Sequence, residues 1–346
     1  MRRGFRAIAS GSARLLAVIA VAMGLGSCVH QFPEQEDNEF EVVLSVVQEL
    51  DWLPDFVMDI TRADAAGYNI RYDFRVYPKG NTTYPVKEFT IYKEDLTRQD
   101  YVTTLKLMPG DYDLWCWSDY AYAASGEAVY YDDADFSGIT YIKPYEGDTD
   151  MRDAFRGKTS FTVEDPGMME PVPVGAEIVL TRPLARYKFI AEDLADFIDR
   201  ETTRGKWSID ASDFVLTDGG PRWARLNDYT VKVVYPLYMP SVFDNFKNNP
   251  IDSWTGVSFD CVMEQLSDTE ARLAMDYTYV NGQESSIQVQ LEIYDPDGLL
   301  IARTATITVP TERDRTTIVR GKFLTTLRND GVGIDPDFDG DFNIEL

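Results

Sequence analysis

From Phe40 onward, apolar, β-branched and aromatic residues alternate with polar ones over short stretches, and turn-forming clusters cut them at regular intervals. A chain patterned at period two with almost no period of 3.6 folds into sheets. FEVVLSVVQEL (40–50), NIRYDFRVYP (69–78), VKEFTIYK (86–93) and YVTTLKL (101–107) read as strands. MPGDYDLWCWSDY (108–120) opens with a turn from Pro109 to Asp111. Its alternation then sends Tyr112, Leu114, Cys116 and Ser118 to one face and Asp113, Trp115 and Trp117 to the other. Large apolar residues on both faces predict a central strand, or one covered on both sides.

The stretch 120–158 is looser and richer in Tyr, Gly and Asp, and FTVEDPGMMEPVPVG (161–175) concentrates Pro and Gly as a linker does. AEIVLTRPLARYKFIAE (176–192) resumes the strand pattern, with Pro183 marking an edge or a bulge. The only convincing helix is DLADFIDRET (193–202), with Leu194, Phe197 and Ile198 on one face. Strands are expected again at 229–235, 256–264, 271–279, 286–294, 298–309 and 316–325. The turn Tyr294-Asp295-Pro296-Asp297-Gly298-Leu299 joins two of them as a hairpin. Strands at this spacing predict an all-β protein of two β-sandwiches, at 40–165 and 176–330. A linker at 166–175 joins them and a tail at 331–346 follows. With 346 residues, the chain exceeds the usual reach of one core.

The first 27 residues are of another kind. Arg2, Arg3, Arg6 and Arg14 precede the apolar run LLAVIAVAMGLG, and no acid appears before Glu34. This is the layout of a secretory signal peptide, and the apolar run falls short of the roughly 20 residues of a membrane span. Leu25-Gly26-Ser27-Cys28 closes the segment and resembles the lipobox of bacterial lipoproteins, whose cysteine is acylated after cleavage. Acyl chains on Cys28 would anchor the protein durably, each buried CH₂ contributing about 0.8 kcal/mol. Residues 28–39 carry Glu34, Glu36, Asp37 and Glu39, a solvated and self-repelling tether. They also resemble the acidic export signal of surface lipoproteins of Bacteroidetes. Beyond residue 27 the chain keeps 29 basic residues against 58 acids, a balance that repels nucleic acid and anionic headgroups.

Chemistry is sparse. The sole histidine, His30, stands two residues past Cys28 and cannot orient a nucleophile in a distant core, so His-based triads and zinc sites are excluded. No nucleophile elbow, phosphate loop or dinucleotide fingerprint occurs, and the spacing singles out no carboxylate pair of the glycosidase kind. The chain reads as non-catalytic, without cofactor or metal. Asp335, Asp337, Asp339 and Gly340 match the start of a calcium loop, but its twelfth position is Leu346, and a polar turn explains the run better. Cys116 and Cys261 either pair in an oxidising compartment or stay buried as free thiols. Phe342, Ile344 and Leu346 alternate against polar neighbours at the C-terminus, which suits strand addition to a sheet edge, in this chain or another.

The lipobox, PGDYDLWCWSDY, LTRPLARYKFI, TTIVRGKFLTT and the closing GIDPDFDGDFNIEL occur in this order. Together they resemble the Bacteroidales fimbrillin-type lipoproteins, above all the anchor and minor subunits of fimbriae and uncharacterised relatives. That resemblance implies two transthyretin-like, Ig-like sandwiches, an outer-membrane site facing the cell exterior, and fimbrial subunits or other envelope proteins as partners. In polymerising relatives an Arg-directed protease removes an N-terminal strand; the corresponding candidate is Arg62 in DITRADAA, which also reads as an ordinary loop arginine. A second function fits the composition: a surface glycan-binding lipoprotein using Trp115, Trp117, Trp207, Trp223 and Trp254 as an aromatic platform. For Trp115 and Trp117 the apolar strand around them favours packing instead.

Overall fold

The computed structural model describes residues 39–49, 67–96, 99–204, 226–325 and 343–345. Cys28, His30, Arg62, Trp207, Trp223, the Asp335–Asp339 run, Phe342 and Leu346 lie outside the described residues.

The first half supplies β1 (Phe40–Gln48), β2 (Tyr68–Pro78), β3 (Lys87–Lys93), β4 (Tyr101–Leu107) and β5 (Gly110–Tyr122). Two short strands follow, β6 (Tyr131–Asp132) and β7 (Ile139–Tyr141), then β8 (Phe155–Val163) and β9 (Val174–Thr181). Seven of these form one sheet in the order β3-β2-β5-β8-β9-β1-β4. Every pairing in it is antiparallel except that of β1 with β9. The sheet folds over itself. Val42, Leu44 and Val46 of β1 share a core with Tyr72, Phe74 and Val76 of β2 and with Leu114 and Cys116 of β5. The Tyr72 ring lies 5.0 Å from that of Tyr101 in the edge strand β4. Alternation in β1 is strict, so one face is buried while the other stays half-exposed; each buried Val or Leu contributes about 1.5–3 kcal/mol.

The second half contains β10 (Leu184–Ala191), the helix α1 (Leu194–Thr203), β11 (Thr230–Val234), β12 (Met239–Asp244) and β13 (Asn249–Trp254). It continues with β14 (Ser258–Val262), β15 (Glu264–Gln265), β16 (Ala271–Tyr279) and β17 (Glu284–Tyr294). The last strands are β18 (Leu300–Arg303), β19 (Ile307–Glu312), β20 (Thr316–Gly321) and β21 (Asn343–Glu345). A sheet β15-β16-β10-β20-β21 packs against a sheet β14-β11-β17-β18, with β19 also on β17. Tyr187 and Phe189 of β10 meet Val231 and Val233 of β11 and Val289 and Leu291 of β17 in the core between them. The expected hairpin turn forms as read: Gly298 has φ +77°, and the Asp295 carboxylate accepts from the Asp297 and Leu299 N–H groups. The fold is all-β and built of sandwiches.

The sheets divide the chain differently from the sequence reading. Residues 176–192 are not one strand. Ile178 and Leu180 close the first core, Leu184 and Tyr187 enter the second, and the crossing falls at Arg182–Pro183 instead of within 166–175. Pro183 has no N–H to continue a ladder, so the chain leaves one sheet there and starts another. The Pro-rich stretch is a loop within the first sheet, joining β8 to β9. Those strands approach closely at Gly157, where a Cβ would stand 2.6 Å from Leu180 Cδ2 and 2.7 Å from the Val179 carbonyl oxygen. The strand expected at 298–309 is two, β18 and β19.

Candidate assembly surfaces

The loose stretch 120–158 builds the junction. Its β6 and β7 extend β12 and β13 into a four-stranded sheet, β13-β12-β7-β6, drawing strands from both halves of the chain. Tyr131, Phe136, Ile139 and Tyr141 therefore belong to the second core. Central β5 serves both cores: Leu114 and Cys116 face the first, Trp115 and Trp117 the second. Trp117 is edge-on to Tyr131 at 5.4 Å and tilted against Phe243 at 6.2 Å, while Trp115 meets Phe246 at 5.0 Å. The two-faced reading of this strand holds, with the second sandwich as the cover.

Charged residues on Asp148–Asp153 lock the junction. Arg152 is fully buried, its Nε 3.2 Å from Asp276 Oδ1 and its guanidinium over the rings of Tyr145 (4.2 Å) and Tyr141 (4.4 Å). Asp276 accepts further hydrogen bonds from the hydroxyls of Tyr145 at 2.6 Å and Tyr235 at 2.5 Å. Around this centre, Arg182 forks onto Asp153 at 2.7 and 3.0 Å and also reaches Asp314. Arg186 meets Asp150 at 3.2 Å, and Arg272 meets Asp148 at 2.5 Å. Burial raises the Asp276 carboxyl above its ordinary value, although Arg152 and the two tyrosines pull it down. The same burial holds Tyr145 and Tyr235 well above the usual phenol range, as neutral donors. Ion pairs and hydrogen bonds from both halves of the chain thus converge on this segment. Sequence reasoning missed it; the one available signal was Asp276, an acid inside the apolar run ARLAMDYTY.

A second ionic cluster lies on the face of the first sheet that also carries Trp117. Arg71 forks onto Asp119 at 2.9 and 2.9 Å and touches Asp133 at 3.0 Å, while Arg75 meets Asp73 at 3.2 Å and Glu88 at 3.7 Å. Thr90 donates to Asp73 at 3.3 Å. Burial, reinforced by the neighbouring Asp133, pushes the Asp73 and Asp119 carboxyls up to about 6. Their unfolded values lie near 3.9. The stability they contribute is therefore complete below about pH 4 and is lost as pH rises through about 6, on the order of 2 kcal/mol for Asp73. Asp73→Asn removes that dependence. Urea unfolding between pH 4.5 and 8 should give a flatter stability profile for the variant than for the wild type; parallel profiles would refute the assignment.

Among the described residues no group of His, Cys, Asp or Glu is arranged to hold a metal ion. Cys116 and Cys261 are buried in different cores and not joined by a disulfide, and burial raises the Cys261 thiol. The aromatic platform does not form where Trp115 and Trp117 were its candidates, because the junction buries both. Trp254 is half-buried, with Lys143 Nζ 4.3 Å over its ring and Tyr141 edge-on at 6.1 Å. A polar recess of about 530 Å³ lies where Thr82, Thr83 and Glu88 face Ser137, Asp244 and Lys247.

What the molecule does present is strand edge. Among the described residues β3 and β4 end the first sheet without a further neighbour. Their backbone groups form a template for an added strand. Lysines 87, 93 and 106 guard these edges. At the second body, Asn343–Glu345 adds antiparallel to β20, Ile344 opposite Thr317.

Residues 33–346 match a Family of unknown function (DUF6562). The chain belongs to this family. No curated protein matches it. Solved structures similar to it include a Bacteroides thetaiotaomicron VPI-5482 protein described as "putative polysaccharide binding proteins (DUF1812)", at 13% identity and TM-score 0.45, covering 83% of this chain and 94% of that one. The fimbrial anchor protein Mfa2 from Porphyromonas gingivalis is similar at 9% identity and TM-score 0.39, covering 81% and 90%. The tip fimbrial protein Mfa3 from the same organism gives 12% identity and TM-score 0.38, covering 81% and 94%.

Proposed function

We propose that this chain is a non-catalytic lipoprotein of the outer membrane, facing outward, that serves as an anchor or accessory subunit of a fimbria. The observation that carries the reading is the pair of open edges on a sheet locked rigidly to its neighbour. Such a body offers main-chain hydrogen bonds to a partner's strand without having to rearrange. Cys28 carries the lipid, residues 28–39 space the body from the bilayer, and fimbrial subunits pair along β3, β4 or the β20 edge. The tail bearing Phe342, Ile344 and Leu346 acts as a strand donor, and its pairing with β20 is the resting form of the same contact. Arg62 keeps two roles open, a loop residue or a cleavage point whose cutting would part the body from its lipid.

Affinity isolation of the tagged full-length protein from intact envelopes tests the reading. Co-purifying fimbrial subunits support it, whereas bound polysaccharide without subunits would replace it with glycan binding. Labelled palmitate should enter the wild type and not Cys28→Ala. Whole-cell protease shaving should remove the body if it faces outward. A chain ending at Arg328 that assembles as well as the full chain would eliminate the donor tail.

A further inference from the structure

Exposed apolar side chains also occur singly, as at Tyr238, Val102 and Leu299, but five gather at one end of the first sandwich. Met168 is 104% exposed, Val172 80%, Tyr84 78%, Met169 76% and Met108 51%. They occupy separate loops, but the strand registers bring those loops to one place. Phe40 lies opposite Leu107, Val42 beside Val174, Gly110 opposite Val163, and Pro78 opposite Tyr112. The start of β1, the turn from β4 to β5, the loop from β8 to β9 and the loop from β2 to β3 therefore share one end of the first sandwich. At the opposite end, Arg182–Pro183 carries the chain into the second body.

The N-terminal segment arrives at that same apolar end. Eleven residues separate Cys28 from Phe40; fully extended they span about 36 Å. An acyl anchor at Cys28 thus holds this end, and not the β16 end of the second body, close to the bilayer. The tip carrying the two methionines is an ordered turn: Gly167 has φ +59°, its N–H donates to Asp165 at 2.8 Å, and the Met169 N–H donates to the Pro166 carbonyl at 3.0 Å.

We infer that this end of the first sandwich is a bilayer-contacting surface, with Met168, Met169 and Val172 entering the boundary between headgroups and acyl chains. The inference rests on the lipid-anchor reading of Cys28. Glu164, Asp165 and Glu170 flank the tip and stay at headgroup level, so the loops bind weakly by themselves. The tether compensates by keeping them at high local concentration at the membrane. The consequence is orientation: the first sandwich stands on the bilayer and the β15–β16 turn of the second body points away.

The test uses the full-length lipoprotein extracted from envelopes and reconstituted into vesicles of phosphatidylethanolamine and phosphatidylglycerol. Cys116 and Cys261 are buried, so Met168→Cys, or Asp268→Cys in the exposed turn between β15 and β16, introduces the accessible thiol for an environment-sensitive fluorophore. Doxyl-labelled lipid should quench the probe at position 168 at least twofold more than at 268. Adding Met169→Asp and Val172→Asp should abolish the difference while the protein still floats with the vesicles. Equal quenching at both positions on floating protein overturns the inference. So does a blue shift at 168 that appears without vesicles and fades on dilution, which would mark the face as a contact between copies. Wild-type protein that takes up fluorophore at Cys28, or fails to float, overturns the anchor reading itself.

Discussion

Arg152→Ala is expected to lower stability by about 3–5 kcal/mol, the range for removing one partner of a buried ion pair. Arg152 is wholly enclosed, and its loss leaves the Asp276 carboxylate in the core without a cation, held by the Tyr145 and Tyr235 hydroxyls and the Tyr277 N–H. The damage should concentrate at the junction, because Arg152 stands on a segment from the first half of the chain and Asp276 on β16. Chemical denaturation measures the loss, and hydrogen exchange locates it at β7, β12 and β16. An apolar pair, Arg152→Met with Asp276→Leu, should recover much of the stability, since it leaves no orphaned charge. A deficit below about 1 kcal/mol for Arg152→Ala would mean that water reaches the site and the lock is not structural.

Trp117→Ala should cost about 3–5 kcal/mol, from lost apolar transfer and the cavity left against Tyr131 and Phe243. Trp117 Nε1 also donates to Asp119 at 3.3 Å, within the carboxylate cluster of the first sheet. Trp117 thus ties β5 of the first sheet into the second core, so the variant should broaden or split the unfolding transition. The prediction separates two functions proposed for the same residue. A platform tryptophan is exposed, and its loss would change stability by no more than about 0.5 kcal/mol while weakening sugar binding. Calorimetric scans of the wild type and the variant distinguish these results.

Much of the fold was legible because strand alternation is local. The β1, β4 and β16 segments were placed nearly to the residue, α1 likewise, and the Asp295–Gly298 turn carried its own geometry in Asp-Pro-Asp-Gly. β5 was the most informative, because apolar residues on both of its faces announced that something covers each one. The assembly surfaces were less legible. An edge is defined by the absence of a neighbour, and nothing within Lys87–Lys93 or Tyr101–Leu107 states which strands lie beside them. β6, β7, β12 and β13 went unread because they are short or interrupted, and Pro240 and Pro250 break their pattern.

The sequence by itself determined that this is a sheet protein whose one histidine, His30, stands outside the strand pattern. Those properties reside in residue type and near-neighbour spacing. Only tertiary structure decided where the bodies divide, since Pro183 reads locally as an edge or a bulge, and long-range pairing made it a change of sheet. It alone brought Arg152 to Asp276 across 124 positions, and gathered Met108, Met168 and Val172 at the end where β1 begins. Such contacts depend on register between distant strands, and register is a property of the folded sheet rather than of any segment in it.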